Sequence, residues 1–99
     1  MADLEIDRLN RCVRRASVAL ELTAREFDLL VFMAQAAGSP VSREMLTREV
    51  WKLNSRVTLM DNVIDVHISR LREKIDQGHE RKLIQTIRGV GFVLERSES

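Results

Sequence analysis

The sequence has little cysteine and no long apolar run. Cys12 is the single cysteine among 99 residues, which excludes an internal disulfide and most cysteine-based zinc sites. A reducing, cytoplasmic setting fits this cysteine content best. No apolar run approaches the ~18 residues of a membrane span, and residues 1–5 lack the basic start and apolar stretch of a signal peptide. The sequence therefore predicts no association with a membrane.

The chain also lacks an excess of charge of either sign. Sixteen basic and fifteen acidic residues give a net charge of +1. Residues 1–61 hold nine of each sign, and residues 62–99 hold seven basic and six acidic residues. A nucleic-acid partner would have to be attracted by a local basic patch, because bulk charge supplies no field. Composition alone neither predicts nor excludes DNA binding.

What is present suits one small globular domain. The chain is 44% hydrophobic and 31% charged, which is too apolar for a disordered tail. Its length leaves room for one domain and not two, since domains commonly have ~50–200 residues.

Apolar periodicity predicts short strands at the start of the chain. Residues 4–9 and residues 18–22 alternate apolar and polar side chains, and a period of two is typical of strands. Residues 12–14 form a further candidate strand. The connection at residues 15–17 lacks the glycine that a tight hairpin favours.

Three helices are predicted next. Thr23 and Glu26 have the spacing of a capping box at the start of the first helix. Ser42 is a good N-cap for a second helix of roughly ten residues. Residues 52–60 show no clear period and are predicted as a loop. Asp61 is then the predicted cap of a third helix, which ends near Asp76.

The end of the sequence predicts a β-hairpin. Residues 83–87 and 92–95 are the expected strands, and residues 88–91 are the turn. Strands, three helices and a hairpin form an α+β order that suits a helix–turn–helix followed by a two-stranded wing. An unspecialised α+β domain has the same order.

The third helix has two predicted faces at ~100° per residue. Its core face carries Ile64, Ile68, Leu71 and Ile75. The opposite face carries Asn62, Val66, Ser69, Arg70 and Glu73. In a major groove, Asn pairs with adenine, Arg with guanine, and an apolar group with the thymine methyl. Glu73 would repel phosphates unless it accepts from a cytosine amino group, and a solvated helix face is the alternative interpretation.

Further residues beside that face and in the hairpin suit a DNA backbone and a minor groove. His67, Arg72 and Lys74 flank the third-helix face and could reach phosphates, although a local hydrogen bond explains His67 better when this residue is taken alone. Arg88 lies at the hairpin tip, and a protruding arginine suits a narrow minor groove. A surface arginine beside turn glycines is the alternative, and the combination of helix face and wing favours DNA.

Four segments, in order and at matching spacing, resemble one known family. Residues 22–30 (LTAREFDLL) resemble the first-helix signature of the OmpR/PhoB family of bacterial response regulators. Residues 42–51 resemble its second helix, residues 62–75 its recognition helix, and residues 86–92 its wing. The resemblance extends over about residues 4–95.

The resemblance implies a winged-helix effector domain with an N-terminal four-stranded sheet. It also implies a preceding phosphoacceptor receiver domain, through which a sensor kinase would act on the full protein. The sequence has no room for that receiver, so residues 1–99 are expected to be one winged-helix domain from a C-terminal half. Met1 and Ala2 are expected to be additions made for expression.

The resemblance also implies roles for individual residues. Base contacts are expected from Asn62, Val66, Ser69, Arg70 and, in the minor groove, Arg88. Backbone contacts are expected from Arg43, Trp51, His67, Arg72, Thr86 and Phe92, and the flank of the third helix adds Lys74 to them. The segment that contacts RNA polymerase is expected at Lys52, Leu53, Asn54, Ser55 and Arg56. Asp65 is expected to have a structural role at the start of the helix. No cofactor and no metal are implied.

Some positions depart from the family pattern. Ser69 stands where many relatives have a basic residue, and Phe92 replaces the commoner tyrosine, so a hydroxyl contact is lost. Ser17 stands where a turn glycine is frequent. These departures leave the operator sequence open. Residues 57–68 and 82–94 resemble regulators of heavy-metal or copper response in particular.

The expected function is sequence-specific binding of promoter DNA by two copies on direct repeats, in the cytoplasm. A winged-helix module that binds protein and does not distinguish DNA sequences is the alternative, which the near-neutral charge and Glu73 favour. An enzyme is not expected, because the sequence has no nucleophile elbow and does not complete a dinucleotide motif at residues 89–91. Cys12, His67 and His79 lack metal-ligand spacing.

Overall fold

The computed structural model describes residues 4–52 and 58–95. In chain order these residues form three strands, three helices and two further strands. Two antiparallel sheets flank the helices. The predicted α+β winged-helix order is therefore confirmed.

The first sheet has three antiparallel strands among the described residues. β1 (Leu4–Asp7) pairs with β2 (Cys12–Arg15), which pairs with β3 (Val18–Leu20). The candidate strand at residues 12–14 is confirmed. Leu9, expected within the first strand, instead lies in the turn after β1 and is 91% exposed. The resemblance implied four strands, and the described part of the chain forms three.

The β2–β3 hairpin closes through a turn without glycine. Ala16 and Ser17 have φ angles of 52° and 68°, and Arg15 pairs directly with Val18. A two-residue turn of this kind favours Gly or Asn, since left-handed backbone costs other residues roughly 1–2 kcal/mol each. Because Ser17 stands where glycine is frequent, this turn contains backbone strain.

The first helix, α1 (Ala24–Gln35), begins at its predicted capping box. Thr23 Oγ1 accepts a hydrogen bond from the Glu26 N–H at 3.1 Å, and Glu26 Oε1 accepts one from the Thr23 N–H at 3.0 Å. Two N–H groups that the helix cannot satisfy internally are thus paired.

The second helix, α2 (Arg43–Glu49), begins after its predicted N-cap. Ser42 Oγ accepts from the Met45 N–H at 3.1 Å. The helix has seven residues, fewer than predicted, because Val50 already serves as its C-cap. Leu46 of this helix and Val50 at its end are buried in the core.

The third helix, α3 (Thr58–Asp76), is the longest, with 19 residues. The prediction that Asp61 caps it was wrong, because the helix begins at Thr58 and Asp61 lies inside it. An acidic residue is as typical of a first turn as of a cap, so composition alone could not separate the two. Residues 58–60 are helical and not loop, and residues 53–57 lie outside the described residues.

The wing consists of β4 (Ile84–Ile87) and β5 (Gly91–Leu94). This confirms the predicted hairpin to within one residue at the strand ends. Gly91 has φ of 152°, and a Cβ there would overlap the carbonyl of Val41. Its lack of a side chain lets Val41 and Phe92 exchange hydrogen bonds of 2.7 and 2.9 Å, which attach the wing to the segment before α2.

The core lies between the helices and receives side chains from both sheets. The predicted core face of α3 is confirmed, since its four apolar side chains are 2% exposed or less; they are Ile64, Ile68, Leu71 and Ile75. Leu4 and Val13 join this core from the first sheet, and Leu94 joins it from the wing. Because α3 is buried along one side, its opposite side is held in a fixed orientation toward solvent.

A buried ion pair joins the first sheet to the end of α3. Arg15 and Asp76 have side chains 1% and 3% exposed, and Arg15 Nη1 lies 2.8 Å from Asp76 Oδ1. Arg15 also donates to the carbonyls of Ile75 and Arg81, each at 2.7 Å. The Asp76 carboxylate accepts backbone N–H bonds at 2.9 and 3.1 Å from the start of the wing. One buried pair therefore connects three elements.

Candidate nucleic-acid interface

The polar face predicted for α3 is exposed to solvent. All five of its side chains are exposed, namely Asn62, Val66, Ser69, Arg70 and Glu73. Val66 is 43% exposed and presents an aliphatic group among these polar side chains. No described residue forms a hydrogen bond or ion pair with the side chain of Asn62 or of Arg70. These groups are available to bind a partner.

The wing tip forms a second exposed surface. The Val90 N–H donates to the carbonyl of Ile87 at 2.9 Å and closes the turn. Arg88 is exposed at this tip, and in the described ranges no group pairs with it. Ile87 and Val90 beside it are 37% and 51% exposed. The tip thus presents one guanidinium between two apolar side chains.

Arg43 is held between α2, α3 and the wing. Its Nε donates to Asp65 Oδ1 at 2.8 Å, and its guanidinium lies 4.9 Å from the centroid of the Phe92 ring. Phe92 itself is only 3% exposed. The structure therefore places this ring beneath Arg43, where it supports the guanidinium. Asp65, expected to act at the start of the helix, instead lies in the third turn of α3, where it orients Arg43.

Arg72 connects α3 to the wing. Its Nη2 donates to Thr86 Oγ1 at 2.6 Å, while its Nε is buried without a hydrogen-bond partner. A cavity of about 180 Å³ lies between Arg43 and Arg72, and Ser69, Thr86 and the paired carboxylate of Asp65 line it as well. Two guanidinium groups and two hydroxyls around one small cavity suit an anionic oxygen.

Trp51 and His67 form an aromatic contact between the end of α2 and α3. Their ring centroids are 5.3 Å apart with an interplanar angle of 87°. The guanidinium of Arg25 lies 5.2 Å from the Trp51 centroid and donates to the carbonyl of Val50 at 2.7 Å. Nδ1 of His67 lies 2.8 Å from the carbonyl oxygen of Val63. Both rings are half-buried.

Lys74 is directed toward α1. Its Nζ donates to Glu26 Oε1 at 2.6 Å, and the two side chains are 37% and 3% exposed. Burial raises the pKa of the Glu26 carboxyl, but the hydrogen bonds from Lys74 and from the Thr23 N–H outweigh burial and hold the pKa below its ordinary value near 4.5. The expected phosphate contact of Lys74 stays a prediction.

Sequence reasoning did not identify the buried Arg15–Asp76 pair. The sequence contains a weak indication that each of the two residues is buried. Arg15 shares the inward side of β2 with Val13, where the alternation calls for an apolar residue, and Asp76 directly follows Ile75 of the core face. A charged residue at an inward position is a sign of a buried partner, although the sequence does not say which one.

The expected polymerase segment is only partly described. Lys52 is exposed with φ of 61°, and residues 53–56 lie outside the described residues. Within residues 4–52 and 58–95, no helix has both the length and the apolar content needed to cross a membrane. The same residues bring no three His, Cys, Asp or Glu side chains together in a way that could hold a metal ion.

Known proteins match this chain in sequence and in fold. Residues 17–94 match the family described as "Transcriptional regulatory protein, C terminal". CusR from Escherichia coli K12 is 43% identical over 95 residues, which cover 96% of this chain and 41% of CusR. The RstA DNA-binding domain of Klebsiella pneumoniae, solved in complex with the RstA box, has a TM-score of 0.82 and 33% identity over 95% of this chain and 92% of that one.

A second solved DNA-binding domain is similar to this chain in both sequence and fold. The DNA-binding domain of CpxR from E. coli has a TM-score of 0.78 and 38% identity over 96% of this chain and 93% of that chain. The chain spans about two fifths of the length of the curated relatives it matches, since it covers 41% of CusR. The match therefore covers only a part of those relatives.

The sequence match and the structural likeness agree on one family. Its members are transcription factors and not enzymes, which confirms that expectation. Three helices with antiparallel sheets are also the fold of the winged-helix response-regulator domains that this chain resembles. The chain belongs to the family of C-terminal domains of transcriptional regulatory proteins and is the winged-helix DNA-binding domain of an OmpR/PhoB-family response regulator.

Proposed function

We propose that this domain binds promoter DNA sequence-specifically, with α3 in the major groove and the wing in the adjacent minor groove. The observation that carries the proposal is the exposed α3 face, where an amide, a guanidinium, a hydroxyl and an aliphatic group lie together. The Arg72–Thr86 bond of 2.6 Å joins this helix to the wing. Because α3 is buried behind that face, little ordering is needed on binding.

Base reading is assigned to the exposed residues of α3. Arg70 suits guanine and Asn62 suits adenine through paired hydrogen bonds, while Val66 suits a thymine methyl. The hydroxyl of Ser69 suits either a donor or an acceptor group on a base edge. Arg88 is assigned to the minor groove, where a narrow A·T-rich groove concentrates negative potential.

Backbone contacts are assigned to cationic, aromatic and hydroxyl side chains around that face, with the buried Phe92 acting only through Arg43. They are Arg43, Trp51, His67, Arg72, Lys74, Thr86 and Phe92. The cavity between Arg43 and Arg72 supports a phosphate oxygen there, and the buried ring of Phe92 contributes by supporting Arg43. Contacts of this kind release counterions, so the affinity should fall with added salt for every DNA sequence.

The assembly on DNA is proposed to be a tandem. Two copies would occupy direct repeats about one helical turn apart. Residues 52–56 would contact RNA polymerase. In the longer protein, a receiver domain would link a sensor kinase to this domain, and DNA binding would place the protein with the nucleoid in the cytoplasm.

A response to copper is proposed for the longer protein. CusR and PcoR, both from E. coli and both copper-response regulators, are 43% and 41% identical to this chain. The domain itself would not bind the metal. The kinase would perceive it.

Selection of bound duplexes from a random DNA pool, at moderate salt, tests the proposal. Enrichment of two direct half-sites about one helical turn apart is the expected outcome, and the enriched duplex supplies the operator. Recovery of unrelated sequences with only salt-sensitive binding would overturn the proposal and favour the protein-interaction module.

A further inference from the structure

His67 is one of two histidines in the chain, and one of its ring nitrogens is already in use. Nδ1 lies 2.8 Å from the backbone carbonyl oxygen of Val63. A carbonyl oxygen can only accept, so Nδ1 carries the hydrogen in this bond. In the neutral ring Nε2 is then an acceptor. It gains a hydrogen only when the ring becomes positively charged.

The free nitrogen of His67 has no hydrogen-bond partner among the described residues. A phosphate oxygen accepts hydrogen bonds and donates none. The neutral ring would therefore turn a lone pair toward a phosphate, which is repulsive. The charged ring would offer it both an N–H donor and a positive charge, and such charge-assisted bonds are about twice as strong as neutral ones.

We propose that His67 takes up one proton when the domain binds DNA, so that DNA affinity rises as the pH falls through the histidine range. The proposal rests on the proposed function, which assigns His67 to the sugar–phosphate backbone. The proton comes from the buffer and is held on Nε2. Nε2–H then donates to a non-bridging phosphate oxygen, and no covalent bond to carbon or phosphorus changes.

Charged groups from two helices surround this ring. On α1, Glu26 is close enough for the charge on His67 to contribute to its lowered pKa, but Lys74 already pairs with that carboxylate at 2.6 Å. Arg25, also on α1, lies over the Trp51 ring that meets His67. On α3, Arg70 is one turn further along the helix. A DNA phosphate would add a negative charge to these surroundings, in which the carboxylate of Glu26 is already paired with Lys74.

Affinity measured at constant ionic strength between pH 8 and pH 6 tests the proposal. Two duplexes are needed, the one enriched by selection and one of random sequence, because a phosphate contact does not depend on sequence. We expect binding on both to tighten on the order of 5-fold toward pH 6. Calorimetry in phosphate and in Tris buffer counts the proton directly, since the heat difference scales with uptake.

Two variants assign the effect to this ring. His67→Gln carries a neutral N–H donor, and its affinity should not change with pH. His79→Gln is the matched control at the only other histidine, and it should keep the pH dependence of the parent. Thermal melting checks that both variants fold. If His67→Gln does not fold, ring ¹⁵N resonances of the parent domain at pH 7 report whether Nε2 becomes protonated when DNA is added.

The outcomes separate this proposal from the proposed function. Equal pH dependence in the parent and in His67→Gln, or none in the parent on either duplex, would overturn proton uptake while leaving sequence preference intact. Loss of sequence preference with proton uptake retained on the random duplex would overturn specific recognition and leave His67 as a phosphate contact.

Discussion

Arginines occupy two opposite environments in this small domain. Arg15 is buried, and its guanidinium donates to one carboxylate and two backbone carbonyls within 2.8 Å. Arg70 and Arg88 are exposed, and within the described residues neither has a partner. The first joins the sheet to the end of α3, and the others are groups that we propose to contact DNA. The same side chain therefore stabilises the fold in one place and is free to bind a ligand in the other.

The comparison shows that burial and partners decide the role of a charge. A buried ion that loses its partner remains desolvated and unpaired, which is costly. An exposed one that is removed leaves only solvent behind. Substitutions of the buried, paired charges should therefore change stability. Substitutions of the exposed charges without partners should change DNA binding alone.

Removal of one partner of the buried Arg15–Asp76 pair should have the largest effect on stability. Arg15→Ala leaves Asp76 buried without its cation and should lower the free energy of unfolding by about 3–5 kcal/mol. Urea titration measures this change in the free energy of unfolding. Arg70→Ala is the matched control and should stay within about 0.5 kcal/mol of the parent. A loss below about 1 kcal/mol for Arg15→Ala would contradict the distinction between the two environments.

The two glycines of the wing extend the comparison to the backbone. Gly91 faces inward against Val41, whereas a Cβ added at Gly89, with φ of 78°, would meet no atom within 4 Å. Gly91→Ala should cost about 2–4 kcal/mol through overlap and strain. Gly89→Ala should cost about 1–2 kcal/mol through its left-handed backbone alone. Equal losses in thermal or urea unfolding would show that the contact with Val41 is unimportant.

The buried carboxylate of Glu26 should make stability depend on pH. Its pKa in the folded domain lies below the ordinary value near 4.5, so its contribution is present above about pH 4.5 and is lost as the pH falls through the folded value. Glu26→Gln should cost about 1.5–3 kcal/mol at pH 7 and much less at pH 3. Urea titrations at both pH values measure this.

An exposed ion pair provides the control for Glu26. Arg11 and Asp28 lie 3.1 Å apart, with side chains 51% and 46% exposed. Asp28→Asn should therefore change stability by less than about 1 kcal/mol at pH 7. An equal cost for both substitutions would indicate that burial does not set the strength of these pairs.

The strained turn should give the smallest effect, and in the opposite direction. Ser17→Gly removes the cost of a left-handed side-chain residue and should raise the melting temperature, with a gain of about 1 kcal/mol. Ala19→Gly in the extended strand β3 is the control and should cost about 0.5–1 kcal/mol. A loss of stability in Ser17→Gly would contradict the claim that this turn is strained.

The sequence predicted the local features best. The Thr23–Glu26 box and the Ser42 cap depend on neighbours three residues apart, and the buried side of α3 follows from helical geometry. The partners of Arg15 and Lys74 lie 61 and 48 residues away, so no local pattern identifies them. The start of α3 was missed because its first turn has no apolar period, and Phe92 was placed at the surface although the wing buries it.

The central claim is that α3 reads bases while the residues around it hold the backbone. The affinities of Arg70→Ala and Arg43→Ala for the selected duplex and for a random duplex test it most directly. Arg70→Ala should lose about 1–3 kcal/mol on the selected duplex only, and Arg43→Ala should lose affinity on both duplexes alike. Equal losses by both variants on both duplexes would contradict the assignment.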